Sequence, residues 1–90
     1  MVRVRILLFA TLRDKYGVRE VEVETSGGLR EAIENAAKKL GVEFINEVFD
    51  NENYRSDRII LVNGRHIQFL REISLKEGDT IAIFPPIAGG

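Results

Sequence analysis

The 90-residue chain carries few side chains that could catalyse a reaction. Cysteine is absent, which excludes disulfides, thiolate metal sites and a thiol nucleophile. His66 is the sole histidine, and a single imidazole does not make a His-rich metal site. No serine stands in a G-x-S-x-G context, and neither a Walker loop nor a dinucleotide-binding glycine motif is present. Chemistry by this chain must therefore rely on something other than a side-chain nucleophile or a bound metal.

The unusual segment is the end of the chain, residues 84–90, with the sequence FPPIAGG. Two prolines force an extended backbone, and glycines without a Cβ can thread a narrow tunnel toward a reaction centre. The reactive group at the tip is the α-carboxylate of Gly90, which becomes electrophilic once ATP adenylates it on a partner enzyme. The acyl adenylate can then accept sulfur to give a thiocarboxylate, or an amine to give an isopeptide bond. The alternative is an inert, frayed tail. The tail residues are Pro85, Pro86, Ile87, Ala88, Gly89 and Gly90.

Charge and length restrict the classes of function. With 13 basic and 14 acidic residues the net charge is −1, which argues against a nucleic-acid binder. Apolar runs stay below the ~18 residues of a membrane span, and Arg3 and Arg5 interrupt the first one, so neither a membrane helix nor a signal peptide is expected. We expect a cytoplasmic protein with one domain over 1–84, followed by a flexible tail over 85–90.

Periodicity predicts five strands and one helix. The strands are expected at 2–9, 19–24, 58–62, 65–69 and 80–84. Residues 29–40 repeat their apolar side chains at helical spacing, with Thr25 or Ser26 as the cap and Gly41 as the terminator.

The connections are less regular. We expect a turn over 10–16 closed by Gly17, and a two-residue turn with positive φ at 63–64. Within 43–57 a short second helix is one option, followed by a polar, turn-like stretch over 50–57.

Strands in hairpins around one amphipathic helix predict an α+β fold, with one mixed sheet curved over the main helix. This order resembles the ubiquitin-like β-grasp, in which the first and last strands pair in parallel at the sheet centre. Strand parity then places Phe9 and Phe84 together on the helix-free face, near the exit of the tail. Exposed apolar clusters of this kind mark interfaces. The alternative is that both rings cover the sheet edge or pack under 10–16.

Four sequence blocks resemble a known family. They are FATLR at 9–13, LVNG at 61–64, EGD at 77–79 and FPPIAGG at 84–90. Together they resemble the small subunit of molybdopterin synthase, a ubiquitin-like sulfur carrier. Thiamine sulfur carriers share the Gly-Gly end but generally lack Pro-Pro, and archaeal ubiquitin-like modifiers are also similar.

The resemblance implies that an adenylating enzyme of the ubiquitin-activating type uses ATP to activate Gly90, which then becomes a thiocarboxylate. It implies that the tail inserts into the large subunit of molybdopterin synthase, in a heterotetramer, and passes sulfur to a pterin precursor. Catalytic side chains would belong to that large subunit, and this chain would bind no cofactor or metal itself.

The resemblance also implies that the helix-free face serves both partners. His66 would border this face, and Arg13 would pair with an acidic group of a partner; otherwise both are solvated surface residues. Three functions stay open: a sulfur carrier, a modifier conjugated to lysines, and a non-covalent interaction module.

Overall fold

The structure is a computed structural model that describes residues 1–86, so the predictions for Ile87, Ala88, Gly89 and Gly90 lie outside the described residues. The strands are β1 Val2–Leu8, β2 Glu20–Thr25, β3 Phe49–Asp50, β4 Asn53–Tyr54, β5 Ile59–Val62, β6 Arg65–His66 and β7 Thr80–Phe84. The α-helices are α1 Ala10–Tyr16, α2 Leu29–Leu40 and α3 Ile45–Val48, with 3-10 turns at Val42–Phe44 and Ile67–Phe69. Within residues 1–86, no helix is both long and apolar enough to span a lipid bilayer.

The main sheet has the strand order β2-β1-β7-β5-β6. Strands β1 and β7 pair in parallel at its centre, with Ile6 opposite Ile81, and the other pairs are antiparallel. Each of these two central strands is hydrogen-bonded to a neighbouring strand on both of its edges, a buried position that suits their apolar sequences. The predicted mixed sheet and ubiquitin-like β-grasp are confirmed.

Helix α2 covers one face of this sheet and closes the core. Ile33 on α2 and Ile6, Ile81 and Ile83 on the central strands are fully buried. Burying each such side chain contributes about 1.5–3 kcal/mol relative to leaving it in water. The core therefore lies between α2 and the β1–β7 pair, and among residues 1–86 no helix covers the opposite face of the sheet.

The segment 10–16 is helix α1, so the prediction of a simple turn was wrong. Ala10 has a φ of 53°, which turns the chain sharply after β1. Leu12 is buried, and Tyr16 places its ring edge-on against Phe44 at 5.3 Å. Gly17, which was predicted to close a turn, ends the helix with a φ of 74°. Contacts with the core therefore stabilise a helix that is too short to persist by itself.

The N-cap prediction for α2 was also wrong. Gly28 occupies the N-cap position and makes no side-chain cap. The Ser26 hydroxyl and N–H instead donate to Glu31, and the single Thr25 hydroxyl proton lies within reach of both Glu31, at 3.0 Å, and the Gly28 carbonyl, at 2.8 Å. These hydrogen bonds, with Ser26 first, lower the pKa of Glu31. The polar residues still secure the start of α2, through Glu31 rather than through a direct cap. Gly41 ends the helix as predicted, its N–H bonding to the Ala37 carbonyl.

The predicted short helix in 43–57 is confirmed as α3. The stretch 50–57, which was predicted to be turn-like, also contains strand residues. Strands β3 and β4 form a small hairpin in which the rings of Phe49 and Tyr54 stack at 5.0 Å. The predicted strand over 65–69 is shortened to β6 because the chain enters a 3-10 turn at Ile67. The turn at 63–64 has positive φ at both Asn63 and Gly64, as predicted.

Candidate functional site

The helix-free side of the sheet carries a continuous apolar surface, here called the docking face. Register sets its central row, because Leu7 on β1 lies opposite Ala82 on β7, which lies opposite Leu61 on β5. Opposite residues project to the same side of a sheet. The docking face comprises Leu7, Phe9, Ile59, Leu61, Ala82 and Phe84, all partly buried or exposed.

Phe9 and Phe84 form the end of the docking face. Their rings stack with centroids 4.3 Å apart and planes 10° from parallel, so the predicted juxtaposition is confirmed. Both rings remain partly accessible, and Phe84 pairs across the sheet with the exposed Ile59. Stacking in this geometry contributes about 0.5–1.5 kcal/mol beyond the burial of the rings. Neither ring is in the core, so the prediction that both rings contact a partner protein stays a prediction.

The segment that follows β7 begins beside this aromatic pair. Pro85 is buried and Pro86 is exposed. Proline restricts φ and has no N–H to donate, so β7 cannot continue through this point. The described part of the tail therefore leaves the sheet centre next to the docking face.

Arg13 and His66 border the docking face at opposite ends of the sheet. Arg13 is exposed on α1 and lines a shallow groove with Leu7 and Phe9. His66 lies opposite Leu61 across the β5–β6 pair, which extends the central row to the sheet edge. The structure thus gathers the predicted surface residues Phe9, Phe84, Arg13 and His66 on one side of the molecule.

Phe69 is a residue of this side that sequence reasoning missed. Its ring is 72% exposed and meets the His66 ring edge-on at 6.1 Å. The signal available in the sequence was a large aromatic at the end of a predicted strand, but nothing local indicated that a 3-10 turn would expose it. Exposed large aromatics are over-represented at protein interfaces.

A buried carboxylate, Glu47, is the second feature that the sequence did not reveal. It is 6% exposed and accepts hydrogen bonds from Lys15 Nζ at 2.6 Å, Tyr16 OH at 2.9 Å and Arg58 at 2.9 Å. The donors come from α1 and from the residue before β5, whereas Glu47 lies on α3. This cluster therefore fixes α1, and with it Arg13, against the rest of the fold.

The electrostatics of the cluster favour an ionised glutamate. Burial by itself raises the pKa of Glu47, but the hydrogen bonds from Lys15, Arg58 and Tyr16 outweigh it and lower the pKa overall. The pKa of Tyr16 is raised, first by burial and then by its hydrogen bond to Glu47. Tyr16 consequently stays a neutral donor to a charged acceptor.

Over 1–86, His, Asp and Glu side chains do not come together in groups of three that could hold a metal ion.

Comparison with known proteins places these features in a family. The ThiS family matches residues 6–90. A molybdopterin synthase sulfur carrier subunit of Aedes aegypti is 37% identical, and the alignment covers all of this chain and 91% of the relative.

The fold is shared with solved structures of other proteins. Small archaeal modifier protein 1 from Methanosarcina acetivorans superposes with a TM-score of 0.80 at 26% identity, over 100% of this chain and 98% of that one. A chain in the Amycolatopsis orientalis BexX/CysO complex superposes with a TM-score of 0.81 at 25% identity, over 97% and 99% respectively. These matches confirm the resemblance to which the four sequence blocks pointed.

Proposed function

Because this chain belongs to the ThiS family, we propose that it is a sulfur carrier and works as the small subunit of a molybdopterin synthase. The observation that carries the proposal is the aromatic pair Phe9–Phe84 at the point where β7 leads into residues 85–90. A partner that binds the docking face would therefore lie next to the point where the tail begins. The relative from Aedes aegypti bears the corresponding name, which supports the assignment.

The reaction proceeds at Gly90. Its carboxylate oxygen attacks the α-phosphorus of ATP on an adenylating enzyme of the ubiquitin-activating type, and pyrophosphate leaves. A sulfur nucleophile then displaces AMP to give the thiocarboxylate. On the large subunit of molybdopterin synthase the thiocarboxylate sulfur bonds to a carbon of the pterin precursor and displaces an oxygen substituent, which gives a thioester. Water then cleaves the acyl carbon–sulfur bond, so the sulfur stays on the pterin and Gly90 regains its carboxylate.

The fold holds the residues that precede this terminus in a fixed position. A parallel β1–β7 pair at the sheet centre anchors the start of the tail rigidly, and Pro85-Pro86 keeps the exit extended. The small residues Ala88, Gly89 and Gly90 allow the end of the chain to enter a narrow channel. The catalytic side chains belong to the partners.

The docking face is proposed to bind both partners in turn. Its apolar row and the stacked rings offer a desolvated centre, while Arg13 and His66 add polar groups at the rim, as in typical interfaces. The BexX/CysO complex contains a structural relative together with a second protein, which supports a partner-dependent role.

A second candidate is a protein modifier that forms isopeptide bonds with lysines. The structural similarity to small archaeal modifier protein 1 favours it. Both functions require the same adenylate at Gly90 and differ in the acceptor, sulfur in one case and a protein amine in the other.

Intact mass spectrometry separates the candidates. The chain is incubated with ATP, an adenylating enzyme of the ubiquitin-activating type and a sulfur source, with a variant lacking Gly90 as the control. Exchange of one oxygen for one sulfur on the C-terminal peptide, absent from the control, supports the carrier. Branched lysine peptides support the modifier, and an unchanged carboxylate refutes both.

A further inference from the structure

The docking face continues differently at its two edges. Toward β2 its central row meets a carboxylate, because Leu7 on β1 lies opposite Glu20. Toward β6 the row reaches an imidazole, because Leu61 on β5 lies opposite His66, and the exposed ring of Phe69 lies beside that imidazole. The docking face is therefore charged along its β2 flank and aromatic along its β6 flank.

Ion pairs occupy the β2 flank. Arg3 lies 3.9 Å from Glu22. Arg5 lies 3.7 Å from Glu20. Both pairs are exposed to solvent, and the exposed Glu24 projects to the same side of the sheet. A partner that covered this flank would have to remove water from five charged groups, and such groups are depleted at the centres of protein interfaces. The β2 flank therefore suits the solvated rim of an interface.

The backbone that carries Phe69 is held in place on the β6 flank. Within its 3-10 turn the Leu70 N–H donates to the Ile67 carbonyl at 3.0 Å. The Gln68 N–H donates to His66 Nδ1 at 3.1 Å. Ile67 and Leu70 pack against the core, whereas the Phe69 ring is 72% exposed. A backbone that is already ordered loses little further freedom on binding, which favours affinity.

The charged residues near Phe69 lie at the margin of this flank. Arg65 on β6 lies opposite the buried Val62, so its side chain starts from the other face of the sheet. Arg71 and Glu72 follow the turn, are exposed and carry opposite charges. The row from β5 across β6 to Phe69 therefore continues without an ionised side chain.

The size of a stable protein interface requires contact beyond the central row. Neighbouring strands lie about 4.8 Å apart, so β1, β7 and β5 together span about 10 Å between the outer strand axes. Stable complexes bury about 800 Å² on each partner, which is a patch roughly 30 Å across. The contact must extend over at least one flank, and desolvating the aromatic flank costs less than desolvating the charged flank.

We propose that Phe69 is an anchor residue for the large subunit of molybdopterin synthase, which receives the Phe69 ring in an apolar pocket. The contact runs from the Phe9–Phe84 pair across β6, and the β2 flank stays at the solvated rim. This role of Phe69 rests on the proposed sulfur-carrier function. The large subunit is the partner concerned because a lasting complex needs the larger contact, whereas a transient encounter with the adenylating enzyme can use a smaller one.

Isothermal titration calorimetry of the full chain against the large subunit tests the anchor. Phe69→Ser removes an exposed ring and should weaken binding about tenfold or more, as the loss of an interface anchor does. Phe69→Leu keeps an apolar side chain and should retain more of the affinity.

Val42→Ser is the matched control for Phe69→Ser. Val42 is 80% exposed and also lies in a 3-10 turn, but it lines a groove with α2 on the helix-covered side of the sheet. Val42→Ser should therefore bind the large subunit like the unaltered chain. Thermal unfolding followed by circular dichroism should give both serine variants a Tm close to that of the unaltered chain.

Nuclear magnetic resonance maps the same contact without any substitution. The ¹⁵N-labelled chain is titrated with the unlabelled large subunit. We expect the backbone amides of 66–70 to shift or broaden more than those of 20–24, since the contact extends over β6 and not over β2.

The mass assay for thiocarboxylation separates the role of Phe69 from the proposed function. Phe69→Ser should still be thiocarboxylated, because the ring is assigned to the large subunit. Loss of the thiocarboxylate in Phe69→Ser would transfer the ring to the adenylating enzyme and overturn the assignment. Failure of the unaltered chain to form a thiocarboxylate would instead remove the carrier function itself.

Three further results would overturn the anchor while the carrier function stands. They are equal affinity of Phe69→Ser and Val42→Ser for the large subunit, amide shifts centred on 20–24, and a dimer of the chain alone that Phe69→Ser dissociates. The dimer, detected by analytical ultracentrifugation, would show that a second copy of this chain covers the ring.

Discussion

Replacing Glu47 by glutamine removes the negative charge at the centre of the Lys15–Tyr16–Arg58 cluster and keeps the size of the side chain. Glu47 and the Arg58 side chain are 6% and 8% exposed, so the substitution removes the buried carboxylate partner of this guanidinium and leaves it only the more exposed Asp57, at 3.3 Å. Loss of one partner from a buried ion pair costs about 3–5 kcal/mol. Lys15 is 57% exposed, so its share is screened by solvent and adds little. We expect the free energy of unfolding to fall by about 3 kcal/mol, a large part of the 5–15 kcal/mol typical of a domain.

Urea denaturation followed by circular dichroism at pH 7 measures this loss. In a domain of this size about 3 kcal/mol corresponds to a drop in Tm of about 12–24 °C. Glu22→Gln is the matched control, because Glu22 is exposed and lies 3.9 Å from Arg3, a geometry that contributes about 0–1 kcal/mol.

The pH dependence gives an independent check. The folded-state pKa of Glu47 is below its ordinary value of 4.5, so its stabilisation is complete above that value and is lost as the pH falls through the folded-state pKa. The difference between the unaltered chain and Glu47→Gln should therefore shrink in acid. Equal losses in Glu47→Gln and Glu22→Gln, or a difference that stays constant down to strongly acidic pH, would refute the account of the buried cluster.

Three further outcomes are expected. Phe9→Asp places a charge on the docking face and should weaken binding to the large subunit, measured by calorimetry, more than it lowers Tm; a large drop in Tm with unchanged affinity would place the ring in the core. Deleting Gly90 should abolish thiocarboxylation in the mass assay while Tm stays unchanged, and retained sulfur transfer would end the carrier proposal. Gly64→Val places a β-branched residue at a φ of 85° and should lower Tm and shift the β5–β6 amides, whereas an unchanged Tm would show that the turn tolerates a side chain.

The sheet and its main helix were predictable because their signals are periodic and local. Alternation in 2–9 and 80–84 identified the central strands, and the apolar spacing of 29–40 identified α2 with its observed bounds. Parity also sufficed to bring Phe9 and Phe84 together, since opposite residues of paired strands share a face.

Short elements were less predictable because tertiary contacts stabilise them. Helix α1 has seven residues and persists through the burial of Leu12 and the contact of Tyr16 with Phe44. The exposure of Phe69 follows from a 3-10 turn that ends β6 early. Neither feature has a periodic pattern long enough to be read from the chain.

The sequence by itself determined the family, the order of the five main-sheet strands and helix α2, and the absence of thiol chemistry, since these depend on residue types and their spacing. Only the tertiary structure decided that Lys15, Tyr16 and Arg58 meet at Glu47, and that Phe69 is exposed beside His66. The physical reason is that burial and charge pairing depend on distances between residues remote in the chain. A short sequence pattern does not indicate these distances. Strand parity and helical periodicity, in contrast, can be recognised within a single segment of the sequence.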